Sequence, residues 1–227
     1  MGIQLTWLAH SGFKLEIEGK TVLIDPFLTG NPLAPMKADE LRADFILLSH
    51  GHGDHVGDTV AIAKRTGATV VGNFEIANWI EGKGVKNVAG LNTGGGYDFG
   101  FGRVEYTLAF HSSSLPDGSY GGQPHGILIF APGTTFYHSG DTALFTDMQL
   151  IGDKGVDVAI LCVGDYFTMG PTDSLDAIRF IRPSYVLPMH YNTFPPIQQD
   201  IAKWAQQVHN HTEAKAIVLD PGGTHEF

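Results

Sequence analysis

The chain has 227 residues, 43% of them hydrophobic, and its 24 acidic residues against 14 basic ones leave a net charge of −10 at neutral pH. That acidic balance excludes a broad face for large nucleic acids, but not a small anionic substrate, because bound cations can reverse the local potential. No apolar run approaches the ~20 residues of a membrane span, and one cysteine, Cys162, excludes an internal disulfide framework.

The N-terminal residues lack the basic and apolar regions of a signal peptide, so a cytoplasmic protein is expected. With no linker-like stretch in view, residues 1–227 read as a single domain. Ile3, Leu5 and Trp7 alternate with Gln4 and Thr6, and Phe13, Leu15 and Ile17 with Lys14 and Glu16. A period of two predicts half-buried strands. Gly19-Lys20 turns the second of these into a third at 21–25, and a Pro-, Gly- and Asn-rich loop follows over 26–35. Phe45-Ile46-Leu47-Leu48 is short and apolar, as a buried strand would be.

Directly after it stands Ser49-His50-Gly51-His52-Gly53-Asp54-His55, read as a tight turn at the C-terminal end of that strand. A turn needs Gly and Asp but has no use for three imidazoles. A helix is expected to open on Asp58 as its cap and to end near Gly67. A strand at 68–71, a helix at 74–80 and glycine-rich turns through 102 lead to an alternating strand that delivers His111. The Ser/Gly/Pro loop 112–124 has the length of a rim or lid. A hairpin at 127–130 and 135–137 delivers His138-Ser139-Gly140-Asp141. Then come a helix at 144–151, an apolar strand at 156–163, a helix at 172–181 and a strand at 185–187 that ends at His190. A helix at 198–208 and a last strand at 216–219 complete the reading. Both halves open with hairpins and continue with alternating helices and strands. The expected fold is therefore α/β, two facing mixed sheets with helices outside, a four-layer αββα sandwich.

Ligand-type residues fall at the ends of these strands. His50, His52 and His111 could hold one ion, and Asp54, His55 and His190 a second. Asp141 could bridge both, which a carboxylate can do and an imidazole cannot. Imidazole and carboxylate donors suit zinc first, and also manganese, nickel or iron. Two divalent ions about 3.5–4 Å apart can share a hydroxide and clamp the oxygens of a displacement.

The residues His50-x-His52-x-Asp54-His55, then His111, Ser139-Gly140-Asp141-Thr142 and His190 resemble the ordered motifs of the metallo-β-lactamase superfamily. Trp7-Leu8-Ala9-His10-Ser11-Gly12, Asp25-Pro26, Phe167-Thr168-Met169-Gly170-Pro171 and Pro188-Met189-His190-Tyr191-Asn192-Thr193-Phe194-Pro195 look like the branch of small metal-dependent hydrolases related to L-ascorbate 6-phosphate lactonase. The resemblance implies an αββα sandwich, a dinuclear site and hydrolysis by a metal-bound hydroxide. Class B β-lactamases usually carry a cysteine ligand where this chain has Asp141, while Cys162 reads as a small core residue. After His190 there is no room for the helical domain of glyoxalase II enzymes, and flavodiiron proteins have Glu in place of His52.

Around the ligands, Asp25 reads either as a turn carboxylate or as an acceptor orienting a ligand imidazole. His10 has either a role in substrate binding or behind the ligands, or is a strand-end histidine satisfied by backbone. His125 lines the mouth or is solvated, Asn192 and Thr193 could touch substrate, and His138 is structural. Phe167 and Met169 form an apolar wall or belong to the core, and His209, His211 and His225 read as surface residues. The expectation is a metal-dependent hydrolase with Asp54 binding metal and handling the proton of the nucleophile. Its partner would be a small, anionic, phosphorylated or ester- or lactone-like substrate, with no membrane, and a homo-oligomer is left open. A phosphodiesterase or nuclease on small nucleic-acid fragments, and a non-enzymatic metal-binding or sensor protein, are the alternatives.

Overall fold

The computed structural model describes residues 2–227. Its strands are β1 (Gln4–Trp7), β2 (Phe13–Ile17), β3 (Lys20–Ile24), β4 (Phe45–Leu47), β5 (Thr69–Gly72), β6 (Val88–Gly90), β7 (Gly96–Asp98), β8 (Arg103–Leu108), β9 (His125–Ala131), β10 (Thr134–His138), β11 (Val158–Cys162), β12 (Tyr185–Met189), β13 (Lys215–Ala216) and β14 (Thr224–Glu226). The α-helices are α1 (Gly53–Val56), α2 (Thr59–Thr66), α3 (Phe74–Gly82), α4 (Met148–Gly152), α5 (Pro171–Ile181) and α6 (Ile201–His211).

The strands form two seven-stranded mixed sheets, in the orders β14-β1-β2-β3-β4-β5-β6 and β13-β12-β11-β10-β9-β8-β7. In the first, β1, β2 and β3 pair antiparallel and β3 to β6 pair parallel. In the second, β7 to β10 pair antiparallel and β10 to β13 parallel. A parallel strand covered on both faces reads as a continuous apolar run, and β11, Val-Ala-Ile-Leu-Cys, is buried throughout. Cys162 is thus a core residue. The alternating residues of β1 and β2, among them Leu5, Phe13 and Leu15, meet Tyr106, Ile129 and Phe136 of the second sheet in one core. A second cluster joins the outer face of β4 and β5 to helices α2 and α3 through Ile46, Val70, Ile62, Ile76 and Ile80. Beyond the other sheet, Trp204 of α6 donates its indole N–H to Ser174 of α5 at 2.8 Å. The layers are helix, sheet, sheet, helix, as the two matching halves predict. Among the described residues, no helix is long and apolar enough to cross a membrane.

Several local expectations are corrected. The histidine stretch is not all turn, because Gly53–Val56 forms one helical turn with His52 as its N-cap residue. Asp58 stands at the N-cap of α2, but its carboxylate accepts from Leu28 N and Thr29 N of the 26–35 loop, not from its own helix. Helix α4 begins only at Met148, since residues 142 and 143 bond back to the backbone of Phe110. Strand β13 is two residues long, and β14, not expected at all, pairs with β1 and ends the first sheet. Its Thr-His-Glu sequence carries no apolar alternation to announce it. His225 therefore lies in a strand, with its ring 4.6 Å from that of Phe227.

Candidate metal centre

The ends of seven strands meet at one edge of the sandwich. From the first sheet, β1 leads to His10, β3 to Asp25 and β4 to Ser49–His55. From the second, β8 leads to His111, β10 to Asp141, β11 to Gly164 and β12 to His190. The sheets are tied together just behind this edge. The Tyr106 hydroxyl lies 3.2 Å from Leu48 O and 3.0 Å from Val71 O, and His125 Nε2 lies 2.9 Å from Leu48 O. Both residues belong to the second sheet and hold the exit of β4, where the histidine stretch begins.

The backbone at this edge is bent into costly conformations. Of the eight non-glycine residues with positive φ among the described residues, Ala9, His10, Asp25, His190 and Asn192 lie at these strand ends. Each such residue costs on the order of 1–3 kcal/mol and persists only where its surroundings enforce it. Gly140, at φ 58°, is needed for a second reason, since a Cβ there would stand 2.7 Å from His125 O and 3.0 Å from Ser49 Cβ. Gly57 at φ 41° lets the chain pass Pro26 and Phe27, where a Cβ would meet Pro26 O at 2.5 Å.

The seven ligand-type residues fall into the groups read from the sequence, with one addition. His50, His52 and His111 converge, as do Asp54, His55 and His190, and His10 joins the second group. Asp141 groups with His50 and His55. Its Oδ2 lies 3.0 Å from His190 Nε2, 3.4 Å from His55 Nε2 and 3.6 Å from His111 Nε2, so it touches members of both groups.

Hydrogen bonds behind the imidazoles decide which nitrogen faces inward. Asp25 is buried and accepts from Ser49 N at 2.8 Å, from Ser49 Oγ at 2.5 Å and from His55 Nδ1 at 2.8 Å. The Ser49 hydroxyl, its proton given to Asp25, accepts from His50 Nδ1 at 3.0 Å. His52 Nε2 faces Ser112 Oγ at 3.4 Å. These partners turn His50 Nε2 and His55 Nε2 inward, the orientation that metal-ligating histidines show. His50 Nε2 and His52 Nδ1 face each other at 2.9 Å. His55 Nε2 and Asp141 Oδ1 are buried and without a hydrogen-bond partner. Donor separations of 2.9–3.6 Å are close to the edge of a tetrahedron around zinc, about 3.3 Å for bonds of about 2.0–2.1 Å. The residues fit divalent transition metals.

Electrostatics agree. Burial lowers the pKa of His50, His52 and His111, so these rings are neutral donors at neutral pH. Burial opposes charge on His55 as well, but the carboxylates of Asp141 and Asp25 outweigh it and raise its pKa well above the usual value. A positive charge is thus favoured between these two carboxylates. Burial would raise the pKa of Asp141 and Asp54, yet histidines beside them hold both below the ordinary carboxylate range: His190 and His55 for Asp141, His10 first for Asp54.

A model of the beta-lactamase superfamily domain matches residues 4–190. A UPF0173 metal-dependent hydrolase of Thermus thermophilus is 52% identical over 221 residues, 97% of either chain. The chain belongs to the metallo-β-lactamase superfamily. Within it, the chain groups with the UPF0173 metal-dependent hydrolases. Among solved structures, the metallo hydrolase Igni18 from the archaeon Ignicoccus hospitalis superposes with a TM-score of 0.92 at 38% identity, over 100% of this chain and 99% of its own. An isothiocyanate hydrolase from Delia radicum gut bacteria shares the fold, with a TM-score of 0.78 at 21% identity over 99% of this chain and 98% of that one.

Of the surrounding residues, most take one of the expected alternatives, and His125 takes neither. Asp25 accepts from His55, one of the candidate ligands. His10 is fully buried, with Nε2 3.2 Å from Asp54 Oδ2 and Nδ1 2.9 Å from Thr193 Oγ1, so it backs the Asp54 carboxylate. His125 is neither at the mouth nor solvated: it opens β9, is 1% exposed and stacks on Tyr106 at 3.6 Å. A flanking Gly and Pro suggested a loop, but the ring serves the tie between the sheets. Asn192 is exposed and at φ 57°, and its Oδ1 accepts from Gln199 N at 2.7 Å, which closes the turn after His190. Thr193 is the neighbour that reaches the site. His138 is structural, with Nε2 3.0 Å from Ser11 O. Met169 is core and Phe167 is 52% exposed. Loop 112–124 is a rim pinned to the histidine stretch by Gly51 N donating to Ser113 Oγ at 3.0 Å. Ser49 belongs to no ligand pattern in the sequence, and its only signal is its place between β4 and His50.

Proposed function

We propose that the chain hydrolyses a small molecule at two divalent transition-metal ions, one held by His50, His52 and His111, the other by Asp54, His55 and His190, with Asp141 between them. The observation that carries this reading is the position of Asp141 Oδ2, within 3.0–3.6 Å of imidazoles from both groups. Ions bound there would lower the pKa of water towards ~7 and polarise a carbonyl or phosphoryl oxygen. The Asp54 side chain, 33% exposed while Asp141, His55 and His190 are buried, faces the substrate side. One of its oxygens is held by His10, and the carboxylate is placed to orient the nucleophile and take up its proton. Asp25 and Ser49 keep the rings of His55 and His50 in the donor tautomer throughout. Protonation of those rings would cost metal affinity, and burial suppresses it at His50. An ester or lactone bond, or a phosphoryl ester, is the class of bond such an arrangement cleaves.

The test is a hydrolase screen on chelator-stripped and on metal-reconstituted protein, covering lactones, carboxylic esters, thioesters, phosphodiesters and nucleotides. Turnover that requires added metal and is lost in Asp54→Asn is expected. Stoichiometric metal binding without turnover of any class would favour a sensor or storage protein.

A further inference from the structure

Resting on the hydrolase reading, we propose that the substrate is an uncharged ester whose aryl or alkyl part packs on an aromatic rim, and not a phosphorylated compound. The rim is built from the loops that carry the ligands. On one side, Phe27 and Phe194 both stand edge-on to the His10 ring, with centroids 5.8 and 5.6 Å away, and 6.4 Å from each other. On the other, Phe110 precedes His111 in the chain, is 52% exposed and meets Phe145 at 5.2 Å. The loop after β11 adds Tyr166 and Phe167, 71% and 52% exposed and 4.7 Å apart, and is bonded to the Asp141 loop through Met169 N and Thr142 O at 2.9 Å. Exposed apolar side chains scattered singly need no explanation, but aromatic pairs gathered on the loops of one site mark a binding surface.

The charges point the same way. None of the 14 lysines and arginines lies in segments 8–12, 25–34, 48–58, 109–124, 139–147, 163–171 or 190–199, which form this edge. From outside them Lys83 reaches loop 112–124, where it is paired with Asp117 at 3.5 Å and lies over the Trp79 ring. A phosphorylated substrate carries charge beyond the oxygen that the ions polarise, and proteins usually meet it with arginine, lysine or helix N-terminal amides. Here the anion would find the Asp54 carboxylate and aromatic rings. An uncharged ester needs none of those partners, and its apolar part gains by leaving water. In the reaction, water oxygen joins the acyl carbon and the acyl carbon–oxygen bond breaks. One water proton ends on the released hydroxyl compound, and the acid formed gives up the other to solvent.

Two substrates with the same acetyl–aryl ester bond differ in charge: methyl 4-acetoxybenzoate, which is neutral, and 4-acetoxybenzoate, which is an anion. With metal-reconstituted full-length protein, the neutral ester should show a KM about tenfold or more below that of the anion. Phe110→Ala and Phe167→Ala, both at exposed side chains, should raise the KM of the neutral ester about three- to tenfold while metal content stays unchanged. Phe167→Lys should lower the KM of the anion. An equal or lower KM for the anion, or alanine variants with wild-type KM, would overturn the proposal. Cleavage of phenyl phosphate or diphenyl phosphate with neither ester cleaved would overturn it too and leave metal-dependent hydrolysis standing. If loaded protein cleaves none of these, the proposal is overturned, and the hydrolase reading is decided by the lactones, thioesters and nucleotides of the wider screen.

Discussion

Asp25 Oδ2 lies 2.8 Å from His55 Nδ1, and both side chains are fully buried. The carboxylate sits at the end of β3 and the imidazole 30 residues later in α1. Asp25 fixes the tautomer that leaves His55 Nε2 free to bind metal. Asp25→Asn should retain the fold and lower metal affinity at the Asp54–His55–His190 site about 10- to 100-fold. Titration of the variant with zinc should show one site near its wild-type affinity and one weakened. Two unchanged sites would return Asp25 to the role of a turn carboxylate.

His10 invites a different measurement. It is buried and bonded to Thr193 on one nitrogen and to Asp54 on the other. His10→Ala should keep two ions and reduce kcat about tenfold or more, because Asp54 loses the group that orients it. Thr193→Val should move kcat in the same direction by less. A rise in KM alone, with kcat kept, would instead place His10 in contact with substrate.

Asp54 and Asp141 should separate cleanly. Asp54→Asn should hold at least one ion and lose most turnover, since an amide carries no charge and accepts no proton from the nucleophile. Asp141→Asn should weaken both ions, because Asp141 Oδ2 approaches His190 and His55 of one group and His111 of the other. A titration of Asp141→Asn with one site untouched would make Asp141 the ligand of a single ion.

The candidate ligand residues could be picked out in the sequence because each follows a strand signalled by an apolar run or a period of two, and strand ends in α/β sheets converge. What was not legible depended on contacts across long separations. His10 meets Thr193 across 183 residues and His125 meets Leu48 across 77. Asn192 and Thr193 were equivalent neighbours of a ligand until the positive φ of His190 and Asn192 turned one outward and the other inward. The fold was readable from period-two and fully apolar strands, and β14 escaped because it is polar and pairs at an edge. Its partner β1 gave no sign of a second neighbour.

Away from the ligands, His125 gives a prediction in pH. Burial pulls its pKa down to about 4 against the raising effect of the Leu48 and Gln123 carbonyls. The folded protein therefore leaves His125 neutral where the unfolded chain, with a pKa of about 6.5, takes a proton. Its contribution to stability is complete above about pH 6.5 and declines as pH falls towards 4, by on the order of 3 kcal/mol at the lower end. His125→Gln does not titrate in that range. The gap in unfolding free energy between wild type and variant in urea should shrink as pH is lowered from 7 to 4. A gap that stays constant would mean His125 carries its proton in the folded state.

In the proposed reaction two ions act together on one substrate. The direct test is turnover of chelator-stripped protein as metal is added back in equivalents, with bound metal measured by elemental analysis at each step. Activity should remain low through the first equivalent, rise with the second and level off at two bound ions per chain. Full activity at one equivalent, or activity that persists in the stripped protein, would contradict it.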